Sequence, residues 1–225
     1  MSGCPPWSAP PPRLRLGSDE VHVWRAILDL PIERVAPLER TLAPDERAQA
    51  GRFRFPRDAR RFVVARGVLR GLLGRYLGVD PAGLRFDRHP QGKPRLAAGH
   101  DGSGLRFNVS HSQGLALYAV AHGREVGIDL ERQRPDLADR WVAEQLFSPP
   151  ELAALRAAPA DRWSDTFFDL WVRTEAHGKA RGEGLSLSTD ASGWSFQVLD
   201  APAGFAAALA AEGHQWRLLC WDWPG

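Results

Sequence analysis

The sequence predicts an α+β fold built as two halves. Three observations carry this. Strand-like and helix-like patterns occur in the order strand, helices, strands, then strand, helix, strands. Two long helical stretches, Asp58 to Leu77 and Asp161 to Arg181, stand one in each half. His122-Gly123 breaks the pattern between them, so the halves meet near His122–Glu125. No internal repeat is strong enough to prove duplication. The expected organisation is a flexible lead-in over 1–20, an N-terminal α+β subdomain over 21–123 and a C-terminal one over 124–225.

Each element has a local reason. VHVWRAILDL (21–30) is rich in β-branched and apolar residues and reads as a strand. Leu38 to Phe53 reads as a helix whose start places Pro44 ahead of acidic residues. In the next helix, Phe62, Ala65, Leu69, Leu72, Leu73 and Tyr76 form an apolar stripe. Gly67, Gly71, Gly74 and Gly78 also lie along it, and their common face suggests close approach to another element; chance in a glycine-rich chain is the alternative. After the turn-rich HPQGKPRL (89–96) come strands over Arg106–Ser110 and Leu115–Ala121, then VGIDLE (126–131). The second long helix ends at Gly182 and Gly184, and WSFQVLD (194–200) and WRLLCWDW (216–223) read as final strands.

Composition excludes several classes. The chain has 225 residues, 44% hydrophobic and 25% charged, which allows a substantial core in a soluble protein. A net charge of +2 argues against a polyanion-coating protein, so no nucleic-acid partner is expected. Of 29 basic residues only Lys93 and Lys179 are lysines, which makes those two worth following. Cys4 and Cys220, at opposite ends, suggest neither a disulfide framework nor a zinc site. No apolar run approaches the roughly 20 residues of a membrane span, and MSGCPPWSAPPP lacks the pattern of a signal peptide. A reducing cytoplasm is the expected setting. The nine tryptophans read mostly as core.

The chemistry begins at VGIDLE. Strand side chains alternate, so Asp129 and Glu131 share one face while Val126, Ile128 and Leu130 pack on the other. Two like charges on one face repel unless something positive lies between them. A surface strand edge and a hard metal ion both answer this. In WVRTEAHGKARGEGL (171–185), Trp171, Glu175 and Lys179 are spaced four and four and line one helix face. An ordinary surface Glu–Lys pair is one reading; the interior Gly178 and the following Gly-x-Gly favour a site that approaches a ligand.

FNVSHS (107–112) brings Ser110, His111 and Ser112 to a strand end. A hydrolase reading fails because adjacent strand residues point to opposite faces and no Gly-x-Ser-x-Gly elbow is present. Phosphate binding and a plain strand-end turn remain. In RFRFPRDARRFVVARG (52–67), Arg57, Arg61 and Arg66 can face phosphate oxygens, or simply solvent. Lys93 adds a cation on a turn stiffened by Pro94. Three carboxylates with several cations fit a phosphorylated ligand bridged by Mg²⁺.

On GKP (92–94), FNVSHS, VGIDLE and WVRTEAHGKARGEGL, in that order, the chain resembles the Sfp-type phosphopantetheinyl transferases from about Val21 to Trp223. The resemblance implies two similar α+β subdomains related by a pseudo-twofold axis, with the active site in the cleft between them. It implies transfer of the phosphopantetheine arm of coenzyme A to a serine of an acyl or peptidyl carrier protein, with adenosine 3′,5′-bisphosphate released. It further implies that Asp129, Glu131 and Glu175 hold Mg²⁺, and that Ser110, His111 and Lys93 contact coenzyme A phosphates, with Pro94 beside them. Arg66 then reads the 3′-phosphate with Arg61 and Arg57 as helpers, Lys179 steadies the pyrophosphate, and Glu175 is the expected general base. A monomer is the implied state. Thr174 and His177-Gly178 depart from the family pattern, and His177 is expected at the surface. A non-catalytic coenzyme A or carrier-protein binding module and a Mg²⁺-dependent phosphohydrolase are the competing functions.

Overall fold

The computed structural model describes residues 4–88, 92–182 and 191–224. Their elements run β1 (Glu20–Ile27), α1 (Ile32–Arg40), α2 (Pro44–Ala50), α3 (Pro56–Leu77), β2 (Phe86–Arg88), β3 (Pro94–Leu96), β4 (Leu105–Ser112), β5 (Leu115–His122), β6 (Val126–Arg132), α4 (Arg140–Leu146), α5 (Pro149–Ala157), α6 (Trp163–Arg181), β7 (Trp194–Val198), β8 (Phe205–Glu212) and β9 (Arg217–Asp222). One sheet has the order β4-β5-β1-β9, a second has the order β6-β8-β7, and β2 and β3 form a hairpin.

Alternation along the strands builds a four-layer stack. In β1, Trp24 and Ala26 join α3 residues Val64, Val68, Leu69 and Leu72 in one core. Val21 and Val23, on the opposite face, meet Ile128 and Leu130 of β6 and Leu209 of β8 in a second core between the sheets. The outer face of β8, Ala206, Ala208 and Ala210, packs on Phe167, Phe168, Val172 and Ala176 of α6. The order is helix, sheet, sheet, helix, an α+β fold with one long helix on each side.

The two halves are sewn together. β9 comes from the C-terminal half yet lies parallel beside β1, with Cys220 opposite Val23. Within the expected lead-in, Ser8 bridges Trp221, and the Trp7 indole donates to the Asp200 carbonyl at 2.7 Å. The expected helix over Leu38 to Phe53 is two helices. Proline disfavours helical geometry in the residue before it and is at home in a first helical turn, so Pro44 holds Ala43 extended (ψ 160) and begins α2. The glycines of α3 divide. A Cβ on Gly67 would fall 2.6 Å from Leu38 Cβ, whereas Gly71 has open space. The helices α4 and α5 and the strand β8 went unforeseen in the sequence.

Candidate active site

The glycine of VGIDLE explains how the site is assembled. A side chain at Gly127 would place its Cβ 2.1 Å from the Ala176 carbonyl and 2.3 Å from the Ala180 nitrogen. The backbone of α6 therefore rests directly on β6. Asp129 and Glu131, two and four residues further on the same face, meet the helix side chains of Glu175 and Lys179. The Lys179 ammonium lies 2.5 Å from Asp129 Oδ1 and 3.1 Å from the Ser110 hydroxyl.

The charges here do not balance. Asp129 is 1% exposed, and its Oδ2 is buried with no hydrogen-bond partner among the described residues. Burial first, and then the Asp129 charge, push the Glu131 carboxyl above its ordinary range. The same two causes raise Glu175. Three carboxylates thus share one region in which, among the described residues, the Lys179 ammonium is bonded to Asp129. Among the described residues no three His, Cys, Asp or Glu side chains are drawn together as a ready-made metal cage.

A second wall lies across the sheet. A cleft of about 510 Å³ is lined by Phe53, Arg57, Arg61, Phe62, His111 and Gln113 among others. Arg57 is largely free in solvent, with only a 3.9 Å approach to Asp58. Arg61 grips Asp29 through two bonds of 2.7 and 2.6 Å. His111 is exposed as a residue, but the cleft strips hydration from its ring. That loss, and then the Lys179 ammonium, hold its pKa below the ordinary value. His111 lines the cleft, while its strand neighbours Ser110 and Ser112 reach the carboxylates from the other face. Ser110 points the other way, toward β6, so the two are not a catalytic Ser–His pair.

Three further expected phosphate contacts, Lys93, Arg66 and Ser110, are bonded within the protein. Lys93 gives all three of its protons to the protein: 2.8 Å to Glu125, 3.2 Å to the Val126 carbonyl and 2.9 Å to the Ala180 carbonyl. It ties the β3 turn to the start of β6 and the end of α6. Pro94 opens β3 and lines a small pocket with Glu46, Arg66 and Arg70. Arg66 is paired there with Glu46, and its guanidinium lies 4.4 Å over the Phe86 ring. It does not line the Arg57–Arg61 cleft. Ser110 is buried, bonded to Asp129 Oδ1 at 3.0 Å and to the Leu130 amide at 3.2 Å.

His177 corrects the surface expectation. It is 8% exposed and packs edge-on against Trp194 and Phe196. Its bulk fills the space between α6 and β7. Thr174 returns its hydroxyl to the Leu170 carbonyl at 3.1 Å, a bond within the helix. Gly182 ends α6 in the left-handed conformation (φ 70), and Gly184 lies outside the described residues. Sequence reasoning missed Asn108 and the role of Ser112. Asn108 Oδ1 accepts from the Ile128 amide at 2.9 Å, and Ser112 donates to Glu131 at 3.3 Å. The signal was available as the polar alternation Asn-x-Ser-x-Ser within one strand.

Known proteins are similar to this chain over both halves. Residues 33–123 match the family model for the N-terminal part of 4′-phosphopantetheinyl transferase. Residues 125–223 match the 4′-phosphopantetheinyl transferase superfamily model. The 4′-phosphopantetheinyl transferase HetI of Nostoc sp. is 40% identical over 232 residues, spanning 96% of this chain and 98% of that protein. A 4′-phosphopantetheinyl transferase of Bacillus subtilis is 32% identical, spanning 77% of this chain and 73% of its own length. Sfp of Bacillus subtilis is 31% identical, spanning 66% of this chain and 64% of its own. With both halves matched in order and near full-length similarity to one relative, the chain belongs to the 4′-phosphopantetheinyl transferase superfamily and is a phosphopantetheinyl transferase.

Proposed function

We propose that this enzyme transfers the 4′-phosphopantetheine group of coenzyme A to a serine of an acyl or peptidyl carrier protein, with Mg²⁺, and releases adenosine 3′,5′-bisphosphate. The observation that carries the reading is the unbalanced carboxylate cluster. Asp129 Oδ2 is buried and unpartnered beside two carboxylates held above their ordinary pKa. An all-oxygen donor set with an orphaned carboxylate oxygen suits a hard divalent cation. Magnesium usually takes only one or two protein carboxylates and fills its other positions with water and substrate phosphates. The lack of a closed cage among the described residues is compatible with that habit. When bound, the ion would neutralise charge on the pyrophosphate and its leaving group.

The remaining roles fall to the chain itself. Asp129, Glu131 and Glu175 would hold the ion, one or two of them directly and the rest through its water. Lys179 faces the same region and would meet pyrophosphate oxygens once these compete for its ammonium. Arg57, Arg61 and His111 offer the cleft for the other phosphates of coenzyme A. The carrier serine loses its proton as its oxygen bonds to the phosphorus that bears pantetheine, and the bond to the bisphosphate breaks. Glu175, with its pKa raised by burial and by Asp129, is a better proton acceptor than an ordinary carboxylate and is suited to take that proton. The two subdomains, 21–123 and 124–225, the cytoplasmic setting and a monomeric state belong to the same proposal. No helix among the described residues is long and apolar enough to cross a membrane.

Intact mass of a carrier domain incubated with the enzyme, coenzyme A and Mg²⁺ tests this. The expected result is a gain of one phosphopantetheine, lost with EDTA and lost by at least ~10³-fold in rate in Asp129→Ala. Unchanged labelling by that variant would sink the metal assignment. Binding of coenzyme A without transfer to any of several carriers would favour a binding module. Bisphosphate release without a carrier would favour hydrolysis.

A further inference from the structure

We propose that Asn108, Ser110 and Ser112 of β4 are positioning residues: their side chains replace a partner strand along the open edge of β6 and so set the place of Asp129 and Glu131. β6 is the edge of its sheet, and β4 is the edge of the other. An edge strand leaves every second amide without a strand partner, and burying such amides unpaired is costly. Here the Ile128 amide donates to Asn108 Oδ1 at 2.9 Å, the Leu130 amide to Ser110 Oγ at 3.2 Å and the Arg132 amide to Ser112 Oγ at 3.1 Å. Side chains at i, i+2 and i+4 of one strand repeat at the same interval as the outward amides of the other, about 6.7 Å. A slip of one residue would therefore break the ladder and turn Asp129 and Glu131 to the opposite face.

The same hydroxyls reach the carboxylates. Ser110 donates its one proton to Asp129 Oδ1 at 3.0 Å, and Ser112 donates to Glu131 Oε2 at 3.3 Å. Ser110 Oγ also accepts from Leu130 and from Lys179, which fills its capacity of one donor and two acceptor sites. Its oxygen serves the protein, and a substrate phosphate would have to displace one of these partners. Each rung thus holds an amide of β6 and, in two of three cases, the carboxylate beside it. The halves of the molecule, whose sheets share no strand pairing at this edge, are aligned at the place where the site is built.

The part played in turnover rests on the transferase reading above; the ladder itself does not. The test is Ser112→Ala and Ser112→Thr in the full chain, read by amide hydrogen exchange in β6 and by steady-state transfer. In Ser112→Ala the Arg132 amide should exchange about tenfold faster, and kcat should fall about tenfold, with KM for coenzyme A within about twofold. Ser112→Thr, which keeps the hydroxyl, should restore both. Unchanged exchange in Ser112→Ala overturns the ladder. A raised KM for coenzyme A with kcat kept also overturns it, because Ser112 then touches substrate. Failure of folded Ser112→Thr to restore either readout has the same force. If the unaltered enzyme transfers nothing to any carrier, the transferase reading fails, and exchange alone decides the ladder.

Discussion

Glu46 and Asp129 are both carboxylates taken almost fully out of water, 4% and 1% exposed, and each lies against a cation. Their surroundings differ in one respect, which is whether the charges close. Glu46 receives Arg66 on one oxygen, and Arg70 at 2.6 Å and the Ala43 amide at 2.8 Å on the other. Arg70 also donates from Nη1 to the carbonyls of Pro81 and Leu84. Burial pushes the Glu46 carboxyl up, but Arg70, the Ala43 amide and Arg66 outweigh it and hold the pKa below the ordinary value. Asp129 has Lys179 and Ser110 on a single oxygen and, among the described residues, nothing on the other, with Glu131 and Glu175 raised beside it. Burial alone does not mark a functional carboxylate. The closed cluster stabilises the packing of α2 on α3, and the open one is poised to accept a cation.

The largest stability effect should come from opening the closed cluster. Glu46→Ala leaves Arg66 and Arg70 uncompensated, with Arg70 1% exposed. Removing one partner of a buried pair costs about 3–5 kcal/mol, which for a chain of this size lowers Tm by roughly 6–20 °C. Calorimetry of that variant beside Asp129→Ala sharpens the comparison, because the second should lose transfer while keeping its fold. A silent Glu46→Ala would break it. Gly127→Ala comes next. The added Cβ must push α6 from β6, since the atoms it meets are backbone at 2.1 and 2.3 Å. Overpacking of this kind costs about 1–3 kcal/mol, and the displaced helix carries Glu175 and Lys179 away from Asp129. Urea unfolding together with carrier labelling should show both losses; normal labelling would mean that the site does not depend on this contact.

Much of the open cluster was legible because its spacing is local. Period two places Asp129 with Glu131, and a four-residue step places Glu175 with Lys179. The close approach at Gly127, by contrast, emerges only from the structure. The closed cluster was not legible. Arg66 reads as a free phosphate ligand until Glu46, 20 residues away, is found against it. Lys93 is held in the same way, by partners Glu125 and Ala180 that lie 32 and 87 residues along the chain. Whether a cation is spent inside the protein depends on tertiary contacts that no local pattern encodes. β8 was hidden by composition. Alanine is poor in strands, yet Ala206 to Ala211 must fit between α6 on one face and the first sheet on the other, and small side chains permit that approach.

A moderate effect is expected from Glu175→Gln. The native Glu175 pKa is raised, so the folded state binds the proton more tightly than the unfolded state. Stability from this group is fully present below the unfolded pKa and declines as pH rises through the folded one. At neutral pH the ionised carboxylate therefore strains the unliganded protein. Glu175→Gln should raise Tm by a few degrees at pH 7, lose that advantage near pH 4, and still transfer far more slowly. A Tm below that of the unaltered protein at pH 7 would mean that Glu175 is compensated like Glu46.

The smallest effect belongs to the cleft wall, which is intermediate between the two clusters. Arg61 is 15% exposed and already held by Asp29, whereas Arg57 is 66% exposed and holds nothing closely. A cation so exposed gains little from one anion, about 0.2–1 kcal/mol, or at most about fivefold in affinity. Arg57→Ala should weaken coenzyme A binding by about two- to fivefold in titration calorimetry, leave Tm unchanged, and reduce the salt dependence of binding. Arg61→Ala should also release Asp29, leaving a carboxylate 52% exposed at the cleft, so its penalty on an anionic ligand includes repulsion and exceeds that of Arg57→Ala. Equal penalties would place both guanidinium groups in solvent. A larger penalty for Arg57 would place the strongest phosphate contact outside the Arg61–Asp29 pair and make that pair as closed as Glu46 with its arginines.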